Sequence, residues 1–288
     1  MASANQSDTF EIGGDLTVHR LGFGAMRLTG EHVTGEPDDV ENARDVLRRA
    51  IDLGVDFIDT ADSYGPSVSE RLIGETLMTD PEYRDEVVVA TKGGLIRQVD
   101  EGFEWARHGH PGYLQHAAYT SRDRLRVDQI DLYQLHRVDP EYPMADQLHA
   151  LAELKDEGVI GHIGLSNVSV DQLEAAREIV DVATVQNQYN VANREHEDVL
   201  QACENYGIGF MPYSPIASGE LGEYADLLDD IAGTHDATRY QIALAWLLER
   251  SENLLPIPGT SSLEHLEANI AASTIELSDE ELARLDDK

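Results

Sequence analysis

The sequence has very little cysteine, with Cys203 as the single example among 288 residues. One thiol excludes an intramolecular disulfide and any zinc site built from several cysteines. Low cysteine usage also fits a reducing compartment, so we expect a cytoplasmic protein. The chain has no apolar run near the roughly 18 residues of a membrane span, and the polar residues 1–8 lack a signal-peptide pattern. We therefore expect neither export nor a membrane partner.

Basic residues are also scarce, since 21 Lys and Arg stand against 55 Asp and Glu and give a formal net charge of −34. A field of that sign repels a phosphate backbone, so nucleic acid is not expected as a partner. The acidic residues are spread along the chain, whereas lysine occurs only as Lys92, Lys155 and Lys288. Many carboxylates with few lysines are typical of proteins kept soluble in concentrated salt, where screening weakens self-repulsion. We expect a halophilic protein, with a merely acidic mesophilic protein as the alternative.

Short apolar segments and helical patterns alternate along the whole chain. The eight apolar segments, each bounded by polar residues, glycine or proline, are 20–24, 55–58, 87–91, 130–135, 159–165, 182–185, 208–211 and 254–257. Strand–helix–strand repeats build a parallel sheet with right-handed crossovers, and eight units in about 250 residues are the count of a (β/α)8 TIM barrel. A doubly wound fold would place a third glycine after the first strand, but Gly22-Phe23-Gly24-Ala25-Met26-Arg27 lacks it. We predict a single α/β barrel domain over residues 1–288.

Two local patterns support this fold. Residues 9–12 and 16–18 flank Gly13-Gly14-Asp15, which predicts an N-terminal β-hairpin that caps the barrel bottom. Ser169 followed by Gln172 predicts a capping box at the start of a helix.

The active site of a barrel lies at the C-terminal ends of its strands, so the residues where each apolar segment stops are the candidates for function. In chain order they are Met26-Arg27, Asp59, Lys92, His136, Ser166-Asn167, Gln186-Asn187, Tyr213-Ser214 and Gly259-Thr260. Strand ends meet water and are often polar for that reason alone. Several of these residues, however, have complementary chemistry.

Lys92 follows an apolar strand and points into the barrel mouth, where a solubilising charge has no use; a lysine that merely reaches toward water is the alternative. Asp59, at the end of the preceding strand, is its expected counter-ion. Five residues later comes Tyr64, whose phenol, with a pKa near 10, is a poor proton donor unless a nearby cation stabilises its anion. Lys92 supplies that cation. His136 can orient a carbonyl or relay its proton, although a lone histidine is equally compatible with a structural role.

These residues together resemble the aldo-keto reductase family, over nearly the whole chain from the hairpin to about Asn269. The segments that carry the resemblance are Asp59-Thr60-Ala61-Asp62-Ser63-Tyr64-Gly65, Thr91-Lys92-Gly93, His136 and Gly164-Leu165-Ser166-Asn167. Residues 23–26, 186–190 and 258–262 are most similar to the bacterial branch that includes pyridoxine/pyridoxal-type reductases.

The resemblance implies hydride transfer between NADP(H) or NAD(H) and a small carbonyl or alcohol substrate. Tyr64 would be the general acid, Lys92 would lower its pKa, Asp59 would pair with Lys92, and His136 would position the carbonyl. Ser166, Asn167 and Gln186 would hold the nicotinamide carboxamide, with Tyr213 stacked on the ring. The other implied cofactor-binding residues are Gly24, Ala25, Met26, Asp59, Ser214, Ile216, Leu221, Gly259, Thr260, Ser261, His265 and Asn269.

The sequence departs from the family pattern in two places. No Lys or Arg lies near Gly259 or at His265, where NADPH-preferring relatives hold the 2′-phosphate, so the choice between NADPH and NADH stays open. The family's long C-terminal loop is also missing, which predicts an open pocket of broad specificity. Phe103 and Trp105, in the insert 97–110, are its expected walls together with Tyr64 and His136.

Other interpretations remain open at this point. Some relatives are nucleotide-binding regulatory β-subunits with slow turnover. Such a function does not require the full catalytic set, so the presence of that set argues against it. An unrelated phosphate-binding isomerase barrel would have a Gly-rich loop after its last strands, of which Pro258-Gly259-Thr260 is a weak version. We expect no metal, because His108, His110 and His116 have no matching carboxylates. A monomer or weak oligomer is expected.

Overall fold

The computed structural model describes residues 2–98, 102, 104–219 and 221–288. Its central feature is a sheet of parallel strands in the spatial order β3-β4-β5-β8-β9-β10-β11, accompanied by two antiparallel hairpins, β1-β2 and β6-β7. The strands are β1 Thr9–Ile12, β2 Leu16–His19, β3 Phe23–Gly24, β4 Phe57–Asp59, β5 Val88–Gly93, β6 Leu95–Gln98, β7 Glu104–Arg107, β8 Ile130–Leu135, β9 Ile160–Ser166, β10 Val182–Gln186 and β11 Gly209–Phe210.

The predicted eighth strand, residues 254–257, joins the two edges of this sheet. The amide of Leu255 donates to the carbonyl of Phe210 at 2.8 Å, on the β11 side. On the β3 side, the amides of Gly22 and Gly24 donate to the carbonyls of Pro256 and Pro258 at 3.0 and 3.3 Å. The two prolines have no N–H to return, so this segment pairs less regularly than the other strands. The (β/α)8 barrel predicted from the sequence is confirmed.

The N-terminal hairpin β1-β2 covers the bottom of the barrel, as predicted. Ile12 and Val18 are fully buried and pack with the barrel-interior residues Phe57 and Leu132. Its turn includes Gly13 and Gly14, whose φ angles of 65° and 86° favour glycine.

The helices surround the barrel with their apolar faces turned inward. Ser169 and Gln172 form the predicted capping box at the start of α5. In the part of the chain that the structure describes, no helix is long and apolar enough to cross a membrane. The helices are α1 Val40–Asp52, α2 Val68–Ile73, α3 Pro111–Leu125, α4 Met144–Asp156, α5 Val170–Arg177, α6 Glu197–Tyr206, α7 Ala225–His235, α8 Arg239–Arg250, α9 Leu263–Ala271 and α10 Asp279–Asp286.

Candidate active site

A cleft of about 1000 Å³ opens at the C-terminal ends of the barrel strands. This volume is at the upper end of the range for ligand pockets, about 300–1,000 Å³. The predicted site residues that line it are Gly24, Met26, Asp59, Tyr64, Trp105, His136, Ser166, Asn167, Gln186, Tyr213, Ser214, Ile216, Gly259, Thr260, His265 and Asn269.

The remaining predicted site residues lie elsewhere. Lys92 is fully buried behind the cleft wall. Ala25 and Leu221 are buried in the core, and Ser261 is exposed; none of the three lines the cleft. Phe103 lies outside the described residues.

Lys92 forms the centre of the predicted catalytic set. Its Nζ lies 2.6 Å from Asp59 Oδ2, 2.7 Å from the Thr60 carbonyl oxygen and 3.3 Å from Tyr64 Oη. Asp59 pairs with Ala90 on the adjacent strand, and Lys92 is two residues further along on the same face. The strand register therefore brings the amine and the carboxylate together.

Lys92 has a raised pKa although its ammonium group is buried. Burial by itself lowers the pKa of Lys92, but the negative charge of Asp59, together with the hydrogen bonds to Asp59 and Tyr64, outweighs it. Lys92 is thus a cation held 3.3 Å from the Tyr64 hydroxyl.

Tyr64 has a pKa raised above 10. Burial is the largest cause, because it destabilises the phenolate, while the Lys92 cation acts in the opposite direction. The lowering effect expected of Lys92 is therefore present, and burial outweighs it in the net pKa of Tyr64. The phenol is protonated at neutral pH, and its hydroxyl is available as a donor.

Asp59 is held by more partners than the sequence analysis foresaw. Gln134 Nε2 and Gln186 Nε2 both donate to Asp59 Oδ1, at 3.2 and 2.8 Å. Gln134 was not among the predicted residues, although it lies two positions before His136 and strand alternation puts both on one face. Together with Lys92, the two amides fix the orientation of the carboxylate.

His136 is buried and its ring lies edge-on to the ring of Tyr64, with 5.9 Å between the centroids. Burial lowers its pKa well below 6.5, and the cations Lys92 and Arg137 lower it further. Its Nδ1 has no hydrogen-bond partner among the residues the structure describes. The imidazole is neutral at pH 7.

Trp105, on β7, forms the outer wall of the cleft beside Tyr64. The two rings are edge-on at 6.5 Å, and 41% of Trp105 is exposed. The Arg97 guanidinium lies 3.9 Å from the centre of the indole. The predicted insert is therefore the hairpin β6-β7, which brings an aromatic wall to the site.

The opposite side of the cleft is organised around Tyr213. Its hydroxyl donates to Asn167 Oδ1 at 2.9 Å, and Asn167 Nδ2 donates to Ser166 Oγ at 2.7 Å. Asn167 and Ser214 have φ angles of 58° and 52°, in the left-handed region. Non-glycine residues in this region are uncommon and cluster at functional sites.

Gly24 and Gly259 face each other where β3 packs against the segment that closes the barrel. A Cβ on Gly24 would lie 2.7 Å from the Ile257 carbonyl oxygen, and one on Gly259 would lie 2.5 Å from the Gly24 carbonyl oxygen. Larger residues at either position would displace the backbone that borders the cleft. Both glycines line the cleft together with the side-chain amides of Asn167 and Gln186, which can bind a flat polar group such as a carboxamide.

The cleft also contains residues that the sequence analysis missed. Alternation on β7 places Arg107 on the same face as Trp105, and Arg137 directly follows His136. Both could therefore have been predicted from the sequence pattern. Thr238, Tyr240 and Gln241 lie at the start of α8, a part of the chain that no strand-end pattern assigns to the cleft. The missed residues are Leu95, Arg107, Arg137, Pro215, Gly219, Thr238, Tyr240, Gln241, Ile257 and Ala268.

The histidines of the insert have local contacts. His108 packs edge-on to Tyr113 with 4.4 Å between ring centroids, and His110 accepts from the amide of Gly112 at the start of α3. Within residues 2–98, 102, 104–219 and 221–288, no group of three or more His, Cys, Asp or Glu is placed to hold a metal. The expectation of a metal-free site stays a prediction.

A barrel with a buried lysine–carboxylate pair behind a cleft tyrosine defines a class of oxidoreductase, and comparison with known proteins agrees. The sequence profile of the Aldo/keto reductase family matches residues 20–288. The chain is 41% identical over 286 residues to pyridoxine 4-dehydrogenase of Escherichia coli strain K12, across 97% of this chain and 98% of that protein. It is 46% identical over 285 residues to an oxidoreductase of Schizosaccharomyces pombe, across 99% of this chain and 91% of that protein.

Solved structures give the same assignment. An aldo-keto reductase from Klebsiella pneumoniae, crystallised with NADPH, has a TM-score of 0.82 and 30% identity, across 100% of this chain and 95% of that one. The chain therefore belongs to the aldo/keto reductase family, and it is an NAD(P)H-dependent oxidoreductase.

Proposed function

We propose that this enzyme transfers a hydride between NAD(P)H and the carbonyl carbon of an aldehyde or ketone, while Tyr64 gives a proton to the carbonyl oxygen. The contact that carries this assignment is the 3.3 Å distance between Lys92 Nζ and Tyr64 Oη, beside a cleft large enough for a dinucleotide. As negative charge develops on the carbonyl oxygen, the phenol donates its proton and Lys92 stabilises the resulting phenolate. The neutral His136 orients the carbonyl.

The wall opposite Tyr64 fits the cofactor. When bound, the nicotinamide supplies the hydride. In this proposal Asn167 and Gln186 hold its carboxamide, Tyr213 stacks on one face of the ring, and the other face is left open to the substrate. Gly24 and Gly259 line the cleft on the side of β3 and would contact the ribose. Thr260 and the start of α9 bind the adenosine end.

Turnover distinguishes this enzyme from a nucleotide-binding regulatory subunit. The purified chain, in molar KCl, is mixed with NADPH or NADH and with aldehydes and ketones that include pyridoxal, and nicotinamide absorbance is followed. We expect the reduced cofactor to be oxidised when an aldehyde or ketone is added. Cofactor that binds tightly but is not oxidised with any carbonyl would contradict the proposal and favour the regulatory function.

The adenosine end of the cleft predicts weak preference for NADPH, or preference for NADH. Glu264 and His265 line this end, and Arg239, the nearest arginine on α8, is already paired with Asp229. A guanidinium at position 265 adds a charge-assisted contact to a 2′-phosphate, worth about 1.5–3 kcal/mol or roughly ten- to a hundredfold in affinity. His265→Arg is therefore expected to shift the ratio of the two dissociation constants toward NADPH by that factor.

Equilibrium fluorescence titration with both cofactors at pH 8 measures this ratio. His265→Gln, which adds no charge, is the matched control and is expected to leave the ratio near that of the unchanged protein. An unchanged chain that binds NADPH a thousandfold more tightly than NADH at this pH would contradict the interpretation, because Thr260, Glu264 and His265 provide no guanidinium or ammonium group for the 2′-phosphate.

The charge of −34 also supports the proposal that this enzyme is halophilic. Repulsion between surface carboxylates extends over a Debye length of about 30 Å at about 0.01 M salt and about 3 Å at about 1 M. We expect the melting temperature and kcat to rise as KCl is added over this range. Sucrose at matched osmolality is the control, since it stabilises without screening charge. Equal melting temperatures in dilute buffer and in molar KCl would contradict the assignment.

A further inference from the structure

Three arginines of the cleft, Arg27, Arg107 and Arg137, differ from most others in this acidic chain. Arginines elsewhere on the surface are mostly held by carboxylates, as in the pairs Arg239–Asp229 and Arg284–Asp230 and ten further cases. The side chains of these three arginines, which line the cleft, form no ion pair and no hydrogen bond with a residue in the described part of the chain. Carboxylates are abundant in this protein, so cations without a partner at a ligand cleft indicate a ligand that supplies the negative charge.

Two of these arginines border the residues assigned to catalysis. On β7, Arg107 is two positions after Trp105 and therefore on the same face, directly opposite Leu95, which also lines the cleft. Trp105 in turn contacts the ring of Tyr64. Arg137 directly follows His136, and its charge contributes to the lowered pKa of that histidine. Both cations thus lie beside the position of a reacting carbonyl.

Arg27 has a different position. It follows Met26 in the short 3-10 helix after β3, among the residues proposed to hold the cofactor, so a dinucleotide phosphate is the anion it would meet. The acidic residues that line the cleft, among those described, are Asp59, which Lys92 already neutralises, and Glu264 at the adenosine end. The substrate side of the cleft is therefore positive within a strongly negative protein.

We propose that the physiological substrate carries an anionic group, a carboxylate or a phosphate monoester, which Arg107 and Arg137 bind while the carbonyl lies between Tyr64 and His136. This inference rests on the proposed function. The net charge of −34 repels anions in general, so a local pair of guanidinium groups is needed to admit such a substrate. Guanidinium groups also match the geometry of both oxyanions with paired N–H donors.

Matched substrates test the charge requirement. At constant KCl concentration, kcat/KM for succinic semialdehyde is compared with kcat/KM for its methyl ester. The two compounds have the same aldehyde group and differ in charge. Glyceraldehyde 3-phosphate against glyceraldehyde tests the phosphate. We expect the anionic member of at least one pair to be favoured by about tenfold or more, and the pair with the larger ratio identifies the oxyanion.

Arg107→Gln and Arg137→Gln locate the effect. Each is expected to lower the ratio of kcat/KM for the anionic substrate to kcat/KM for the neutral one about ten- to a hundredfold, mainly through the anionic substrate. Arg107→Lys should recover part of the preference, because it restores charge but not the paired donors. The matched control is Arg177→Gln. Arg177 does not line the cleft, and its guanidinium lies 3.4 Å from the centre of the Tyr206 ring. Melting temperatures confirm that each variant is folded.

The outcomes separate the two proposals. Equal kcat/KM for charged and neutral members of both pairs, with good turnover of each, would overturn the anionic-substrate inference alone. Weaker NADPH binding in the Arg107 or Arg137 variants, measured by titration without substrate, would also overturn it, because these arginines would then serve the cofactor. No turnover of either member would instead contradict the proposed function.

Discussion

Replacing Tyr64 by phenylalanine is expected to lower kcat by about 10²–10⁴-fold, the usual contribution of general acid catalysis. The Tyr64 hydroxyl is the proton donor beside Lys92 in the cleft, whereas the ring provides the packing against Trp105 and His136. The substitution keeps the ring and removes only the hydroxyl, so folding and cofactor affinity should be retained. Single-turnover kinetics and a cofactor titration measure the two quantities separately.

Tyr206→Phe is the control for this experiment. Tyr206 is also a tyrosine, 40% exposed on α6 and outside the cleft, and its hydroxyl lies 3.5 Å from Glu174 Oε1. Its removal should leave kcat unchanged. A Tyr64→Phe enzyme with kcat near that of the unchanged protein would show that another group donates the proton.

The pH dependence of the two reaction directions follows from the raised pKa of Tyr64. Carbonyl reduction needs the protonated phenol, so its rate should hold through neutral pH and fall only as the pH rises through a pKa above 10. Alcohol oxidation needs the phenolate and should accelerate with rising pH. We expect His136, whose pKa lies well below 6.5, to add no change between pH 7 and 9. The measurement is kcat/KM for carbonyl reduction as a function of pH. A decline that already begins near neutral pH would contradict this assignment.

The fold was predictable because its signals are local. Each buried strand leaves a short apolar run, and capping residues such as Ser169 mark helix starts. The eighth strand at 254–257 was correctly placed by its apolar run, although Pro256 and Pro258 weaken its pairing. Parallel strands all end at one face of a barrel, so residues distant in sequence, such as Asp59 and Lys92, could be assigned to one site before any geometry was known.

The properties that the sequence did not predict depend on distances between side chains and on how deeply each side chain is buried. The sign of the Lys92 effect on Tyr64 follows from charge alone, but the net pKa shift depends on how deeply the phenol is buried, which no residue pattern gives. The partners of Arg107 and Arg137 were likewise not predictable from the sequence. Composition shows that cations are rare, whereas only the structure shows which of them have no carboxylate partner. The contact of Gln134 with Asp59 depended on strand register in the same way.

Lys92→Met is expected to affect both catalysis and stability. Without the cation, nothing offsets the burial of the Tyr64 phenolate, so its pKa rises further and the developing charge in the reaction loses its stabilising partner. The Asp59 carboxylate, with 4% of its side chain exposed, loses its counter-ion and keeps only the amides of Gln134 and Gln186. Breaking a buried ion pair on one side costs about 3–5 kcal/mol. The free energy of unfolding should fall by about that amount, and kcat should fall with it.

The double variant Lys92→Met with Asp59→Asn separates these two effects. Removing both charges takes away the unpaired buried carboxylate, so most of the lost stability should return, while kcat should stay low because no cation faces Tyr64. Denaturant unfolding in molar KCl and kcat on a neutral aldehyde are the measurements for each variant. If the double variant recovered activity together with stability, Lys92 would act only by holding the fold, and the role assigned to its contact with Tyr64 would be wrong.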